Sequence, residues 1–288
     1  MTNTTRRLWL AADYHLPATY SCRLPFSSAT SAQVSPGPGP ASVRLALIRT
    51  GVELFGREHV RDTFFPLVRT VPVFIRPPAS VALSSHFLHG YKVDTQQQGH
   101  PLRESLLSRE MAHAQGELTI YLEIALSEEG MWTQVLMTIG YWGQTNSFAT
   151  CLRVRQEAPQ PQECVMPLRT VSSIPLHSFF SCILSEFRDS LVAWEEIDPF
   201  APLEKTNPFK LDIYVWPLRI VTLHGGGEST GAYAIASGRS GSHKERERLI
   251  AMERLMQGRW ELVVEESTET KGISNIASKR LTHPILQT

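Results

Sequence analysis

The chain has 288 residues, 42% of them hydrophobic and 19% charged, enough for one large domain or two ordinary ones with a substantial core. It carries 28 basic and 28 acidic side chains, which excludes a global field that draws in nucleic acid, so any RNA or DNA site must be a local patch. Cys22, Cys151, Cys164 and Cys182 stand far apart with no CxxC, which excludes a zinc spacing and fits reduced thiols of a cytoplasmic protein better than a disulfide frame.

The opening stretch MTNTTRRLWLAADYHL has no long apolar core, so no signal peptide is expected, and no apolar run approaches a membrane span. Residues 6–16 alternate and predict a strand, with Leu8, Leu10 and Ala12 on one face and Trp9, Ala11 and Asp13 on the other. A Ser- and Thr-rich loop from Tyr20 to Val34 leads into PGPGP at 36–40, which blocks any regular element. From Ala41 the apolar residues Val43, Leu47, Leu54 and Phe55 recur at helical spacing, with Pro40 at the first turn and Gly56 at the end. This predicts a helix over 41–55 whose first amides, near Ala41 and Ser42, face the loop, a natural place for a phosphate. The plainer reading is a buried first helix after a surface loop.

Residues 57–69 are mixed, with Arg57, Arg61 and Arg69 beside an apolar Phe64-Phe65. TVPVFIRP (70–77) predicts a second strand. Residues 79–108 carry His86, His89, Tyr91, Lys92, His100 and Arg103 with a polar run at 94–99, and are expected to form a long loop inserted between two strands. Leu118, Ile120, Leu122 and Ile124 mark the clearest strand of the first half, within 109–126. A shorter helix follows over about 128–139, then a glycine turn from Gly143 to Ser147 and a strand from Phe148 to Val154. Strand, helix, strand, insertion, strand, helix and strand make a βαββαβ order, an α+β class of ferredoxin-like type, with two helices on one face of the sheet and the other face free to bind.

Residues 156–168 carry Pro159, Pro161 and Pro167 and read as a linker, so a first domain is placed at 1–157 and a β-rich extension at 158–288. Within the extension, 178–197 is expected to be helical in part. A strand pair is expected at 209–223 and 231–237, joined through Gly225-Gly226-Gly227, then a charged helix at 242–257, a strand at 259–267 and a loose tail from 268.

The passage LSREMAHAQGELTIYLEI, followed by a short helix and IGYWGQTNSF, resembles the RAMP-type small cap subunit of type I CRISPR effector complexes, the Cas-five family. The counterparts are Pro36 to Pro40 with the helix after it, a thumb at 79–108, Arg109-Glu110 opening a strand, and Gly143 with Ser147. The resemblance covers residues 1–155. It implies a subunit that binds the 5′ handle of the CRISPR RNA, caps the filament of a backbone RAMP subunit, touches the large subunit that reads the protospacer-adjacent motif, and so meets target DNA indirectly. It implies no chemistry, no cofactor, no metal and no membrane. The RNA-binding residues expected on this reading are Ala41, Ser42, Arg44, Arg49, His86, His89, Tyr91, Lys92, Arg109, Gln144, Asn146 and Ser147, types that hold phosphates, stack on bases or bond base edges. Two alternatives stay open. One is a metal-independent endoribonuclease that processes precursor CRISPR RNA, with His86 or His89 as base beside Tyr91 and Lys92. The other is an unrelated α+β enzyme acting on a small molecule, for which no nucleophile motif is present.

Overall fold

The computed structural model describes residues 6–25, 27, 31–93, 102–171, 180–198, 207–222 and 259–262. Strand β1 (Arg7–His15) is the axis of the first half. Leu10, Ala12 and Tyr14 are buried on one face, and Ala11 and Asp13 on the other. Three two-residue strands follow, β2 (Cys22–Arg23), β3 (Ser31–Ala32) and β4 (Val34–Ser35), with β2 and β4 paired antiparallel. Helix α1 (Pro40–Phe55) begins after Gly39 and buries Val43, Ala46, Leu47 and Ile48. Its periodicity required this, since those positions share one helical face.

Residues 57–68 coil as α2 (Arg57–His59), a π turn (Val60–Phe64) and α3 (Phe65–Val68), and they bury Val60, Phe64, Phe65 and Val68. Gly51 lets α1 and this turn approach, since a Cβ there would stand 2.8 Å from the Phe64 ring. Then come β5 (Val73–Arg76), β6 (Ser80–Val93), β7 (Leu102–Gln115) and β8 (Leu118–Ala125). Gly116, at φ +93°, makes the turn from β7 to β8, a backbone conformation that a side chain would strain. A 3-10 turn (Leu126–Glu128) leads into α4 (Glu129–Thr138), and β9 (Thr150–Gln156) closes the first half.

The central sheet has the order β5-β8-β1-β9, and each neighbouring pair is antiparallel. β1 and β5 are therefore parallel to one another and joined by a crossover through α1; β8 and β9 are likewise joined through α4. The helices share a core with one sheet face. Tyr14 donates to the Leu136 carbonyl at 2.7 Å and meets Trp142 edge-on at 4.9 Å, and Phe64 lies 4.8 Å from Trp132. The class is α+β.

The second half adds β10 (Met166–Pro167), β11 (Phe180–Phe187) and β12 (Phe209–Trp216) as a sheet in the order β10-β12-β11. β13 (Leu218–Thr222) and β14 (Arg259–Leu262) join the first half through β6, giving a sheet in the order β13-β14-β6-β7-β3. Leu184, Trp194, Trp216 and Leu218 belong to the same apolar cluster as Leu10, Leu47 and Ile120.

Three expectations are corrected. Of residues 79–108, those from 80 to 93 and from 102 to 108 lie in a ribbon and not a loop: β6 and β7 pair in register from Ser80↔Gln115 to Val93↔Leu102. Its root is core, with Val81, Leu83, Ala112 and Ala114 buried, while Tyr91 near the tip is 67% exposed. The passage expected to be partly helical at 178–197 is strand β11, a turn, and one 3-10 turn (Trp194–Glu196). Cys182 and Leu184 point inward and Ile183 outward, a period of two.

The sheet face opposite the helices is not free. Glu157 donates to the Trp9 carbonyl (3.1 Å) beside β9, and Val165 donates to the Ile75 carbonyl (2.8 Å) on β5. The residues between them, read from sequence as a linker, therefore cross the sheet, and Cys164 packs on Ala11 and Tyr121. Beside them the Asp13 carboxylate is buried under Thr119 Oγ1 (2.8 Å), Arg153 Nε (2.6 Å) and Arg155.

The last strand of the first half begins at Thr150, and Phe148 stays in the turn, bridged to Tyr141. The polar run at 94–99, the Gly225-Gly226-Gly227 reversal, the strand at 231–237, the helix at 242–257 and the tail from 268 lie outside the described residues. Among the described residues no helix is long and apolar enough to cross a membrane.

Candidate nucleic-acid interface

The start of α1 is packed from outside. A Cβ on Gly37 would stand 3.2 Å from the Trp216 ring, and one on Gly39 would stand 3.4 Å from Leu184. Ala41 is buried and Ser42 half-buried. Arg44 is 8% exposed; its Nε holds Glu186 of β11 at 2.9 Å, it donates to the Val68 carbonyl, and it lies over the Phe187 ring at 5.8 Å. The structure places this arginine inside, between α1, α3 and β11. It is not on a surface that a phosphate reaches.

Arg49 is placed differently. Its guanidinium lies 3.4 Å over the Tyr141 ring and donates to the Tyr141 carbonyl at 3.3 Å, with Glu53 at 3.7 Å. Cation–π contact at this range contributes about 0.5–2 kcal/mol, depending on desolvation. Tyr141 opens the glycine turn, so Arg49 and the turn form one patch.

The turn is closed by Ser147 N–H to the Gln144 carbonyl (2.9 Å) and Trp142 N–H to the Ser147 carbonyl (3.1 Å), with Gly143 at φ +70°. Ser147 is fully buried. Its hydroxyl accepts from the Ser21 amide at 3.0 Å and donates to the Ser21 carbonyl at 3.2 Å. It is a clamp and not a base-reading group. Asn146 is exposed and Gln144 half-buried. Phe148, just after the turn, is 60% exposed. Sequence reasoning missed it as a stacking surface because it was assigned to a strand. The available signal was its place beside a glycine turn rich in polar residues.

Ser21 also ties the turn to the ribbon. Its neighbour Tyr20 exchanges two backbone hydrogen bonds of 2.8 Å with Ala112 on β7, and the Tyr20 hydroxyl donates to the Pro36 carbonyl at 2.5 Å. The adjacent residues Tyr20 and Ser21 thus tie the glycine turn, the ribbon root and the Pro-Gly stretch together. On the ribbon, Arg109 is the register partner of His86 and, on the other side, of Ala32. The Arg109 Nε is buried and has no hydrogen-bond acceptor among the described residues. His86 is exposed and 2.9 Å from Ser84 Oγ. For His89 and Lys92 only the register is described, opposite Leu106 and Arg103. Glu110 is buried and accepts from the Val34 amide at 2.8 Å; burial raises its pKa, and that amide pulls the other way.

The geometry therefore joins Arg49 with Gln144, Asn146 and Ser147, and sets them near the root of the ribbon that carries His86, Tyr91 and Arg109. It separates Ala41, Ser42 and Arg44 from that patch, under β11 and Trp216. Such a patch can stack, bond base edges and hold a phosphate at few points.

No protein-family model and no curated protein matches the chain. The solved structures that overlap it include two CRISPR proteins. One is a CRISPR protein from Archaeoglobus fulgidus, 11% identical, with a TM-score of 0.34 over 77% of this chain and 93% of that one. The other is a chain of a CRISPR RNA-guided surveillance complex, 9% identical, with a TM-score of 0.37 over 87% of this chain and 100% of that one. Overlap at these scores does not define a shared fold.

Proposed function

We propose that the chain is a ferredoxin-like RAMP protein of the Cas-five type, a non-catalytic cap that binds the 5′ handle of a CRISPR RNA in a type I effector complex, the Cascade. On this reading residues 1–157 are the RNA-gripping domain, the β6–β7 ribbon is its thumb, and residues 158–288 are a β-rich extension. Its protein partners are the backbone RAMP subunit and the large subunit that reads the protospacer-adjacent motif, with target DNA met indirectly.

The observation that supports this most is the joint at Ser21. A strand order of β5-β8-β1-β9 with two crossover helices is the ferredoxin-like order, and the ribbon leaves it between β5 and β8. Ser147 and Tyr20 then pin the glycine turn to the root of that ribbon. A single strand of RNA held there meets an exposed phenylalanine, amide side chains and an arginine backed by an aromatic ring. Few cations are present, which suits a handle read by shape and stacking more than by charge.

The test is fluorescence anisotropy of a labelled repeat-derived handle RNA and a scrambled RNA of the same length, with the same RNA incubated in EDTA and run on a gel. Handle preference is expected, with intact RNA after incubation. Phe148→Ala should weaken handle binding by about 1–3 kcal/mol if the ring stacks on a base. Equal affinity for both RNAs removes the handle reading. Cleavage in EDTA that is lost in His86→Ala favours the endoribonuclease instead.

A further inference from the structure

A pocket of about 440 Å³ opens between α1 and the 3-10 turn Trp194–Glu196 with the residues after it. Leu45, Ile48 and Val52 of the helix and Trp194 and Ile197 beyond it give apolar walls. The three helix positions recur at intervals of three and four, so they share one stripe. Leu45 is 37% exposed, so the stripe is open to solvent there. The Trp194 ring is fixed: its Nε1 donates to Asp198 at 3.0 Å, and it meets Phe65 edge-on with centroids 5.6 Å apart. Arg57 pairs with the same Asp198 carboxylate and also lines the pocket.

The pocket and the RNA patch share a side chain. Arg49 lines the pocket, and its guanidinium covers the Tyr141 ring at the start of the glycine turn. A strand lying on the turn therefore has the pocket one arginine away. Among the described residues that line it, Arg49, Glu53, Arg57 and Asp198 are charged. The buried centre of a protein–protein interface is poor in charge. Apolar walls with a few placed polar groups suit a small planar group instead, and pockets of roughly 300–1,000 Å³ hold ligands of this class. A nucleobase is such a group.

The two carboxylates differ. The Asp198 side chain is 3% exposed and already holds Trp194 and Arg57. The Glu53 side chain is 58% exposed with Arg49 at 3.7 Å, a surface pair that binds weakly and can turn to another donor. An ionised carboxylate only accepts, through two oxygens. Of the four RNA bases, only guanine sets two N–H donors side by side on its Watson–Crick edge, N1–H and N2–H. The other three offer one donor there beside acceptors, which a carboxylate repels. We infer that this pocket takes a guanine turned out of the RNA strand held at the glycine turn, with Glu53 accepting its N1–H and N2–H. The inference rests on the RNA reading above and adds a base identity to it.

The experiment is fluorescence anisotropy of the full chain with handle RNAs in which each position in turn carries guanine or hypoxanthine, which lacks only the N2 amino group. At one position guanine should bind at least about fivefold tighter, the effect of one hydrogen bond to a charged group. Glu53→Gln should abolish that preference, leave the affinity of the hypoxanthine RNA within about twofold, since a single bond to a neutral amide replaces one to a carboxylate that N1–H alone used, and leave the melting midpoint of the free chain unchanged. Leu45→Trp, which fills the pocket from its open side, should abolish the preference as well. Handle RNA that binds without any guanine preference overturns the inference and leaves the RNA reading standing. A preference that survives both folded variants places the base elsewhere and also overturns it. No binding of the unmodified handle RNA removes the RNA reading, and this inference with it.

Discussion

Arg44 and Arg49 stand on the same helix, and packing gives them different tasks. Arg44 and Glu186 have side chains only 10% and 18% exposed, so removing one partner leaves a buried charge alone. Arg44→Ala should lower unfolding free energy by about 3–5 kcal/mol, read from denaturant midpoints, and it tests folding and not RNA contact. Burial pushes the thiols of Cys22, Cys164 and Cys182 up to about 12, and Cys151 is raised less and is only half-buried. A thiol reacts as its thiolate. Timed alkylation of the folded chain in mildly alkaline buffer, followed by mass spectrometry, should therefore modify Cys151 first and the other three only on unfolding. Residue types at the candidate site were legible in the sequence; their directions were not. Ser147 and Asn146 differ by one position, yet one is a buried clamp and the other is exposed, because the turn's own hydrogen bonds decide which side chain points in.

At the scale of elements, the ribbon divides into a core root and an exposed tip. Replacing residues 88–107 by an Asn-Gly turn joins Phe87 to Ser108, which are already register partners. The root keeps Val81, Leu83, Ala112 and Ala114 buried. The shortened chain should melt within a few degrees of the full one and lose handle affinity; a melting midpoint lowered by more than about 8 °C, the shift expected from roughly 2–4 kcal/mol in a chain of this size, would show that the tip holds the fold. The elements that could be read in advance were those with a strong local period: β1, β8, α1 and α4. The ribbon was missed because its outer strands have no alternation of their own, and their order comes from pairing across residues 80 to 115. β11 was mistaken for helix because FFSCIL is apolar at every position but Ser181, and periodicity alone does not assign so short a run.

Across the whole molecule, the apolar cluster runs through both halves, so β11 and β12 of the extension are packed at the start of α1 through Leu184 and Trp216 and not hung from a linker. The same packing closes one route for RNA. With residues 157–165 laid over β8 and β1, bases cannot spread across that sheet face, so the proposed function leaves the RNA to the glycine turn and the ribbon. The order of strands and helices in the first half was legible; the covering of the sheet was not, because three prolines read as a spacer and nothing local showed where the chain would lie.

Photo-crosslinking decides most directly whether the turn and the ribbon clasp RNA. A handle RNA carrying 4-thiouridine, irradiated with the full chain and mapped by mass spectrometry, should attach to residues 141–148 and to the ribbon around 86–93. Crosslinks confined to the second half, with none at the turn, would contradict the account.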